Sequence, residues 1–441
     1  MLDILRRATR SVDQAEVYWL RETTMTCSFQ SGNLEYVRHG RRSSTALRVI
    51  ANGRMGAAFG ESPEQRELLA DATSAAKLGS HVPYGFASET PSLAADAVDP
   101  HTAVLSIDNL VGAAHEINQH IRRLAPDADP QVMCAVTTRA LRIATSEGMD
   151  AEESSTQHVF RIILPFADRG TDIGAYGLAL GTNWSPPSRA WLAELVEQRT
   201  WGTGPSLPVT GKLPALLSPQ VSNLLLIPLI AGISGQTVAQ ATSPLRDKIG
   251  KPLLSSNLTV REDPICPALA HPRSFDDEGI ACQPRNLIDR GMLTSYVTDL
   301  RSAFQLGQSS TGNAVRRTLF SQNIDDVPMP SVLGAVIEPG DMSYRELIAG
   351  MGDGLLVTFV RGLHSGNLVH GDFSVLVDGF RVRNGRIKGY LAKTMISGNI
   401  YDVFRHVRAL SQETEATAQG ALNVSALAPY ILLDSVRVTV G

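Results

Sequence analysis

The chain has 441 residues, 43% of them apolar, with 40 basic residues against 44 acidic ones. That is enough length and apolar content for two domains with real cores. The near balance of charge argues against a nucleic-acid-binding stripe or a polybasic membrane patch.

The opening MLDILRRATR reads as an amphipathic helix and lacks the apolar run of a signal peptide. The stretches 15–22, 23–30, 34–40 and 44–51 are rich in β-formers, with Ser31-Gly32-Asn33 and Asn52-Gly53 as turns. Ser62-Pro63 then supplies a cap and first turn for a helix running to about Leu78. A second helix spans Ser106–Leu124 and contains His115-Glu116-Ile117-Asn118-Gln119-His120, the spacing HExxxH. At 100° per residue the two histidines point about 140° apart and lie off the apolar stripe. They are therefore expected on the solvent side, not around a metal. Residues 130–180 return to strands and a short helix follows at 188–198. The Gly- and Pro-rich stretch 200–214 has no periodicity and marks a domain boundary.

Ser218-Pro219 opens an apolar helix through Ile233, expected to be buried on all sides and kinked or broken at Pro228. Its longest apolar run, Leu224–Ile233, is about ten residues and too short for a bilayer. Strands are expected at 256–260, 291–300, 332–338, 355–361, 373–378, 380–383, 386–391 and 431–440. Helices are expected at 301–306 and 400–408, and Asn384-Gly385 forms a hairpin turn. Many strands with hairpin connections describe an α+β protein: an α/β-meander domain (1–199), a linker (200–214) and an antiparallel β-rich domain with a buried helix (215–441). The cysteines Cys27, Cys134, Cys266 and Cys282 contain no CxxC and read as thiols of a reducing compartment, with the cytoplasm as the expected location.

The richest polar loop is Gly362 to Ser374, GLHSGNLVHGDFS, set between two predicted strands. Its glycines permit φ > 0 and close approach, while His364, Asn367, His370 and Asp372 supply donors, acceptors and a charge. The plainer alternative is a turn whose side chains cap its own backbone. A second glycine-containing loop, 309–314, offers Thr311 and Asn313. The acidic triplet Asp276, Asp277 and Glu278 either caps backbone amides, holds a substrate amine or forms a solvated turn.

Taken in order, SFDDEG (274–279), Gly291-Met292-Leu293, STGNA (310–314), HSGN and HGDFS (364–374), NGRI (384–387), ISGNIYDVF (396–404) and LLDSVRVTVG (432–441) resemble the TldD/PmbA family, once called modulators of DNA gyrase. The resemblance extends to the AEVYW strand and the NGRMGAAFG turn of the first domain. It implies a heterodimeric zinc peptidase in which TldD-like chains carry HExxxH in the helix opening the second domain. PmbA-like (TldE-like) chains lack it and serve as the partner. The corresponding helix here, LIPLIAGISGQ, has neither histidine nor glutamate, and no cysteine follows Cys282. By resemblance, this chain is a non-zinc-binding subunit acting on unfolded peptides or peptide precursors. Zinc and the catalytic glutamate are then expected in a TldD-like partner, and no cofactor in this chain. The alternatives are a subunit of a specialised peptide or amide hydrolase in natural-product or modified-peptide biosynthesis, a regulatory binder of gyrase or an antitoxin, and a lone hydrolase using His364, His370 and Asp372.

Overall fold

A computed structural model describes residues 1–64, 67–92, 97–166, 174–202, 204–317, 324, 327–362, 367–419 and 424–441. The first domain runs α1 (Leu2–Ala8), β1 (Gln14–Gln30), β2 (Asn33–Ala51), β3 (Arg54–Gly60), α2 (Leu68–Ala76), α3 (Pro100–Ala103), α4 (Ile107–Leu124), β4 (Gln131–Thr145), β5 (Asp150–Pro165), β6 (Gly174–Gly181) and α5 (Arg189–Thr200). Its strands form one antiparallel sheet in the order β3-β2-β1-β4-β5-β6. At both early turns the central residues have positive φ, Ser31 and Gly32 at 54° and 84°, Asn52 and Gly53 at 50° and 70°. Tight hairpins between right-twisted strands require this. The four short strands expected over 15–51 are instead two long ones, because no Gly-Asn type punctuation interrupts Glu22-Thr23. Ser62 does not cap the next helix. Its hydroxyl accepts from the Glu64 amide in a local turn, and α2 begins at Leu68. Ser106 does cap α4, in a reciprocal box with Asn109.

Both faces of this sheet are buried. Ala15, Val17, Leu47 and Val49 lie under α1 and α2, while Cys27, Phe29, Val132 and Cys134 lie under α4 and α5. The opposite face, with Tyr18, Leu20, Leu141 and Ile143, packs on Phe275 and Ile280 of the second domain. Burying an aromatic such as Phe275 contributes roughly 1.5–3 kcal/mol, so the domain joint is itself a core.

The second domain comprises β7 (Gly211–Leu217), α6 (Pro219–Ile233), α7 (Gly235–Ala239), β8 (Val260–Glu262), β9 (Arg285–Asp289), β10 (Met292–Leu293), α8 (Leu300–Leu306), β11 (Ala314–Val315), β12 (Met329–Pro330), β13 (Gly334–Ile337), α9 (Tyr344–Met351), β14 (Gly354–Arg361), β15 (Asp372–Arg383), β16 (Arg386–Tyr390), β17 (Thr394–Asn399), α10 (Ile400–Val403), β18 (Val407–Gln419) and β19 (Val424–Val440). β7 starts inside the stretch expected to be linker. Most pairings are antiparallel, with β13–β19 and β14–β7 parallel. Since β7 pairs with both β14 and β19, the series β19-β17-β15-β14-β7-β19 closes on itself. Helix α6 is buried as expected but is not broken at Pro228. Its Val221, Leu226 and Ile233 share one cluster with the inner residues of those strands, while α9 covers Leu216, Leu356 and Phe380 from the other side.

Candidate functional site

The acidic triplet is not a solvated turn: Asp276, Asp277 and Glu278 are 0%, 3% and 1% exposed. Gly279 takes φ +78°, and the turn folds the carboxylates inward onto backbone amides. Asp276 accepts from the amides of Glu278 (2.9 Å), Ile280 (2.9 Å) and Ala314 (2.8 Å). Asp277 accepts from the Arg316 amide (2.7 Å) and from the Arg273 guanidinium (2.6 Å). Burial would raise the Asp277 carboxyl, but Arg273 and the Arg316 amide bring it down to about 2. The triplet and the 310–314 turn are thus one constellation, stitched through Ala314 and Arg316.

Glu278 leads across the domain joint. Its Oε1 accepts from Arg48 Nη1 (2.9 Å), and Arg48 also donates to Glu16 through Nε (2.8 Å) and Nη2 (2.5 Å). Arg316 Nη2 donates to Glu16 Oε1 at 2.7 Å, and its guanidinium lies 4.8 Å from the centre of the Tyr18 ring. All four charged side chains are at most 2% exposed. Burial opposes the Arg48 charge, yet Glu16 and Glu278 outweigh it and raise its pKa. For Arg316, burial wins and the pKa falls. A buried ion pair of this kind stays charged only because each partner compensates the other. The sequence reading missed Glu16, Arg48 and Arg316. The available signal was one charge inside each of the strand patterns AEVYW and ALRVI.

Asn313 and Thr311 serve a second buried acid. Asn313 Nδ2 donates to Glu262 Oε1 (2.5 Å) and to the Ser331 carbonyl (3.0 Å), and Thr311 donates to Asn313 Oδ1 (2.7 Å). The Leu333 amide donates to the same Glu262 oxygen at 3.0 Å. Burial pushes Glu262 up to about 7, against these donors and Arg285. A raised native value means that the neutral acid stabilises the fold fully below the ordinary 4.5 and that this contribution is lost as pH rises through 7. Glu262→Gln retains Oε1 for Asn313 and Leu333. It should gain about 2–3 kcal/mol over the parent between pH 5 and pH 8. Urea unfolding at the two pH values measures this, and a gap independent of pH would show that Glu262 is ionised throughout.

The 362–374 loop does join two strands, β14 and β15, and His364 lies outside the described residues. Asn367 Oδ1 accepts from the His370 amide (3.2 Å), and Asn399 Nδ2 donates to Asp372 Oδ1 (2.9 Å) and to the His370 carbonyl (2.8 Å). Gly371, at φ +83°, comes against Ile400 and Tyr401. The buried Tyr401 hydroxyl reaches the carbonyls of Val369 (3.1 Å) and Pro228 (3.4 Å), and a Cβ on Gly232 would lie 2.2 Å from it. The loop therefore stands on α6 through Tyr401 and leaves Asn367, His370 and Asp372 exposed. Among the described residues its hydrogen bonds run to Asn399 and α10 and not to the buried acids, so the predicted residues fall into two separate groups.

Between the domains lies a cleft of about 850 Å³. Arg48, Glu278 and Asp299 form its floor, Tyr84, Phe304 and Met329 its walls, and Gln236 and Gln240 of the segment after α6 its flank. Asp299, which the sequence reading did not single out, caps α8 by accepting from the Ser302 amide at 2.7 Å.

Helix α4 places His115 and Glu116 on its exposed side, with His115 hydrogen-bonded to Gln119 at 2.7 Å. The double variant His115→Ala/His120→Ala should keep the parent's thermal midpoint within a degree or two, since surface changes are typically within ~0.5 kcal/mol. A larger drop in a melting experiment would mean that the helix faces inward.

Residues 210–440 match the family model of the PmbA/TldA metallopeptidase C-terminal domain, and residues 15–78 match domain 1 of the same group. The chain belongs to the PmbA/TldD metallopeptidase family. It is 25% identical over 426 residues to the metalloprotease PmbA of Escherichia coli O157:H7, covering 93% of this chain and 90% of that one. A zinc metalloprotease TldD homolog of Saccharolobus solfataricus is 31% identical over 218 residues, 47% of this chain and 46% of the relative. In fold it is similar to the crystal structure of TldE from Thermococcus kodakarensis, with a TM-score of 0.89, 22% identity and 100% of both chains covered. A putative modulator of DNA gyrase from Thermotoga maritima gives 0.84 at 20% identity, over 99% of this chain and 98% of the other.

A metallopeptidase implies a metal, and the side chains that α6 offers do not fit zinc. The polar side chains of α6 are Gln220, Ser222 and Asn223, and Ser222 and Asn223 are engaged with the Ser218 carbonyl and Thr417. None is an imidazole, carboxylate or thiolate. Among the described residues no three His, Cys, Asp or Glu side chains converge as a metal-holding group.

Proposed function

We propose that this chain is the TldE-like subunit of a two-chain cytoplasmic metallopeptidase, in which a TldD-like partner supplies zinc and the general-base glutamate. The observation that carries this reading is α6: in a metallopeptidase-family chain, the helix opening the second domain bears no metal-ligating side chain. This chain's own part is to hold an unfolded peptide or peptide precursor. Loop 367–372, with exposed Asn367, His370 and Asp372, offers hydrogen bonds to an extended backbone, and such main-chain bonding tolerates many sequences. Tyr401 and Asn399 fix that loop, which limits the ordering entropy that binding must overcome.

The purified chain alone should hold no stoichiometric zinc by elemental analysis and should cleave no unfolded casein. Mixed with a TldD-like chain it should form a complex that cleaves. In that complex Asp372→Ala should lower turnover several-fold while changing the subunits' Kd little. About one tightly bound zinc per isolated chain, or cleavage without a partner, would sink the reading.

A further inference from the structure

The cleft between the domains holds one acid with an oxygen that no described residue bonds. Asp299 is 4% exposed, and its Oδ1 takes both bonds from Ser302, the amide at 2.7 Å and the hydroxyl at 2.5 Å. Its Oδ2 has no hydrogen-bond partner among the described residues and is open to the cleft that Asp299 lines. The neighbouring Glu278 is engaged at both oxygens, by Arg48 at 2.9 Å and by the Leu300 amide at 2.8 Å. Arg48 in turn spends its donors on Glu16 and Glu278. Arg301 lies on the same rim, but residues two apart on a helix do not face each other, and no ion pair joins it to Asp299 among the described residues.

We infer that the cleft is a binding site for a primary ammonium group carried by a short peptide, with Asp299 Oδ2 as its acceptor. The inference rests on the peptide-holding role proposed above. The chemistry of the walls fits it. Tyr84 and Phe304 stand with ring centres 6.4 Å apart, and Phe304 is 50% exposed without a core partner to occupy its face. An ammonium beside aromatic faces is favoured, more so when desolvated. The exposed Val327 and Met329 give apolar contact for the residue that follows, and Gln236 and Gln240 can bond its peptide groups. A volume of about 850 Å³ falls in the range that holds a ligand of tripeptide size. The acidic triplet, expected from sequence as one possible holder of a substrate amine, is spent on the fold, and the free acceptor lies next to it.

The ammonium can belong to an amino terminus or to a lysine side chain. Calorimetric titration of the purified chain, without any metal-bearing partner, separates these with trileucine and with N-acetyl-leucyl-leucyl-lysine amide. N-acetyl-trileucine amide, which has no ammonium, is the control. At least one of the first two should bind saturably and the control at least tenfold more weakly, and which of them binds names the source. Asp299→Asn, whose side-chain oxygen can still cap α8, should weaken binding at least tenfold, and Phe304→Ala roughly threefold. Control binding equal to that of the ammonium peptides, no saturable binding by either peptide, or full affinity in Asp299→Asn would overturn the assignment. Should Asp299→Asn fail to fold, the control peptide and Phe304→Ala still decide it. Because no cleavage is measured, a negative result is separate from failure of the two-subunit reading.

Discussion

Replacing Arg48 by Ala is expected to destabilise the protein by about 3–5 kcal/mol, the usual cost of removing one partner from a buried ionic group. The substitution leaves Glu16 with only Arg316 and Glu278 with only the Leu300 amide, both side chains being almost wholly buried. One carboxylate more than the remaining guanidinium can compensate is left behind, and Glu278, without a cation, must protonate or separate the domains. Arg48→Lys should recover part of the loss, since it restores the charge but not the fork that binds Glu16 through two nitrogens. The comparison is Arg6→Ala, which removes an exposed contact with Asp3 and should cost under about 0.5 kcal/mol. Urea unfolding of the three variants measures this. If Arg48→Ala unfolds at the same denaturant concentration as Arg6→Ala, the network contributes nothing and the joint is held by Phe275 and its apolar neighbours alone.

Gly312→Ala is the second large effect. Gly312 has φ +73°, where a Cβ costs roughly 1–2 kcal/mol from local strain alone. That Cβ would also lie 2.3 Å from the Ala281 carbonyl oxygen and 2.9 Å from its carbon. Backbone cannot swing aside as a side-chain tip can, so the whole turn must shift. Asn313 and Ala314 would move with it, loosening the bonds to Glu262 and Asp276. A loss of at least about 3 kcal/mol is expected, against little change for Gly350→Ala, whose added Cβ meets nothing within 4 Å. Equal thermal midpoints for the two variants would show that the turn is free to relax.

The parts of the fold legible in the sequence are those written in local chemistry. Ser106 and Ser218 mark helix starts because a hydroxyl before an apolar period has one obvious use. Asn384-Gly385 marks a hairpin because few residues accept positive φ twice in a row. Ser62-Pro63 carries the same signature and was misleading: its hydroxyl is used two residues on, and α2 starts later. Strand β18 was missed, since SQETEATAQ has the polar content of a loop and is held in place by pairing with β19. At the candidate site, loop 367–372 was legible from its glycines and polar residues, and its position on α6 was not. Tyr401 and Pro228, which set that position, are 173 residues apart. The acidic triplet was read as three residue types and proved to be a place where two domains meet. Its partners Arg48 and Glu16 sit in strands whose alternation suggests one wet face, and that face is covered only because the second domain packs on it.

The joint also sets an order of events during synthesis. Glu16 and Arg48 are 32 residues apart and can pair as soon as the first hairpin has left the ribosome, whereas Glu16 and Arg316 are separated by 300 residues. At roughly 5–20 residues per second, the Tyr18 and Leu20 face of the first sheet waits some 15–60 s for the segment that covers it. Through that interval an apolar sheet surface with the Glu16 carboxylate and the Arg48 guanidinium beside it is open to every chaperone and every neighbouring nascent chain. The hairpin's own charges keep that open surface from being uniformly greasy, so the ions that later lock the domains together first act as a temporary coat.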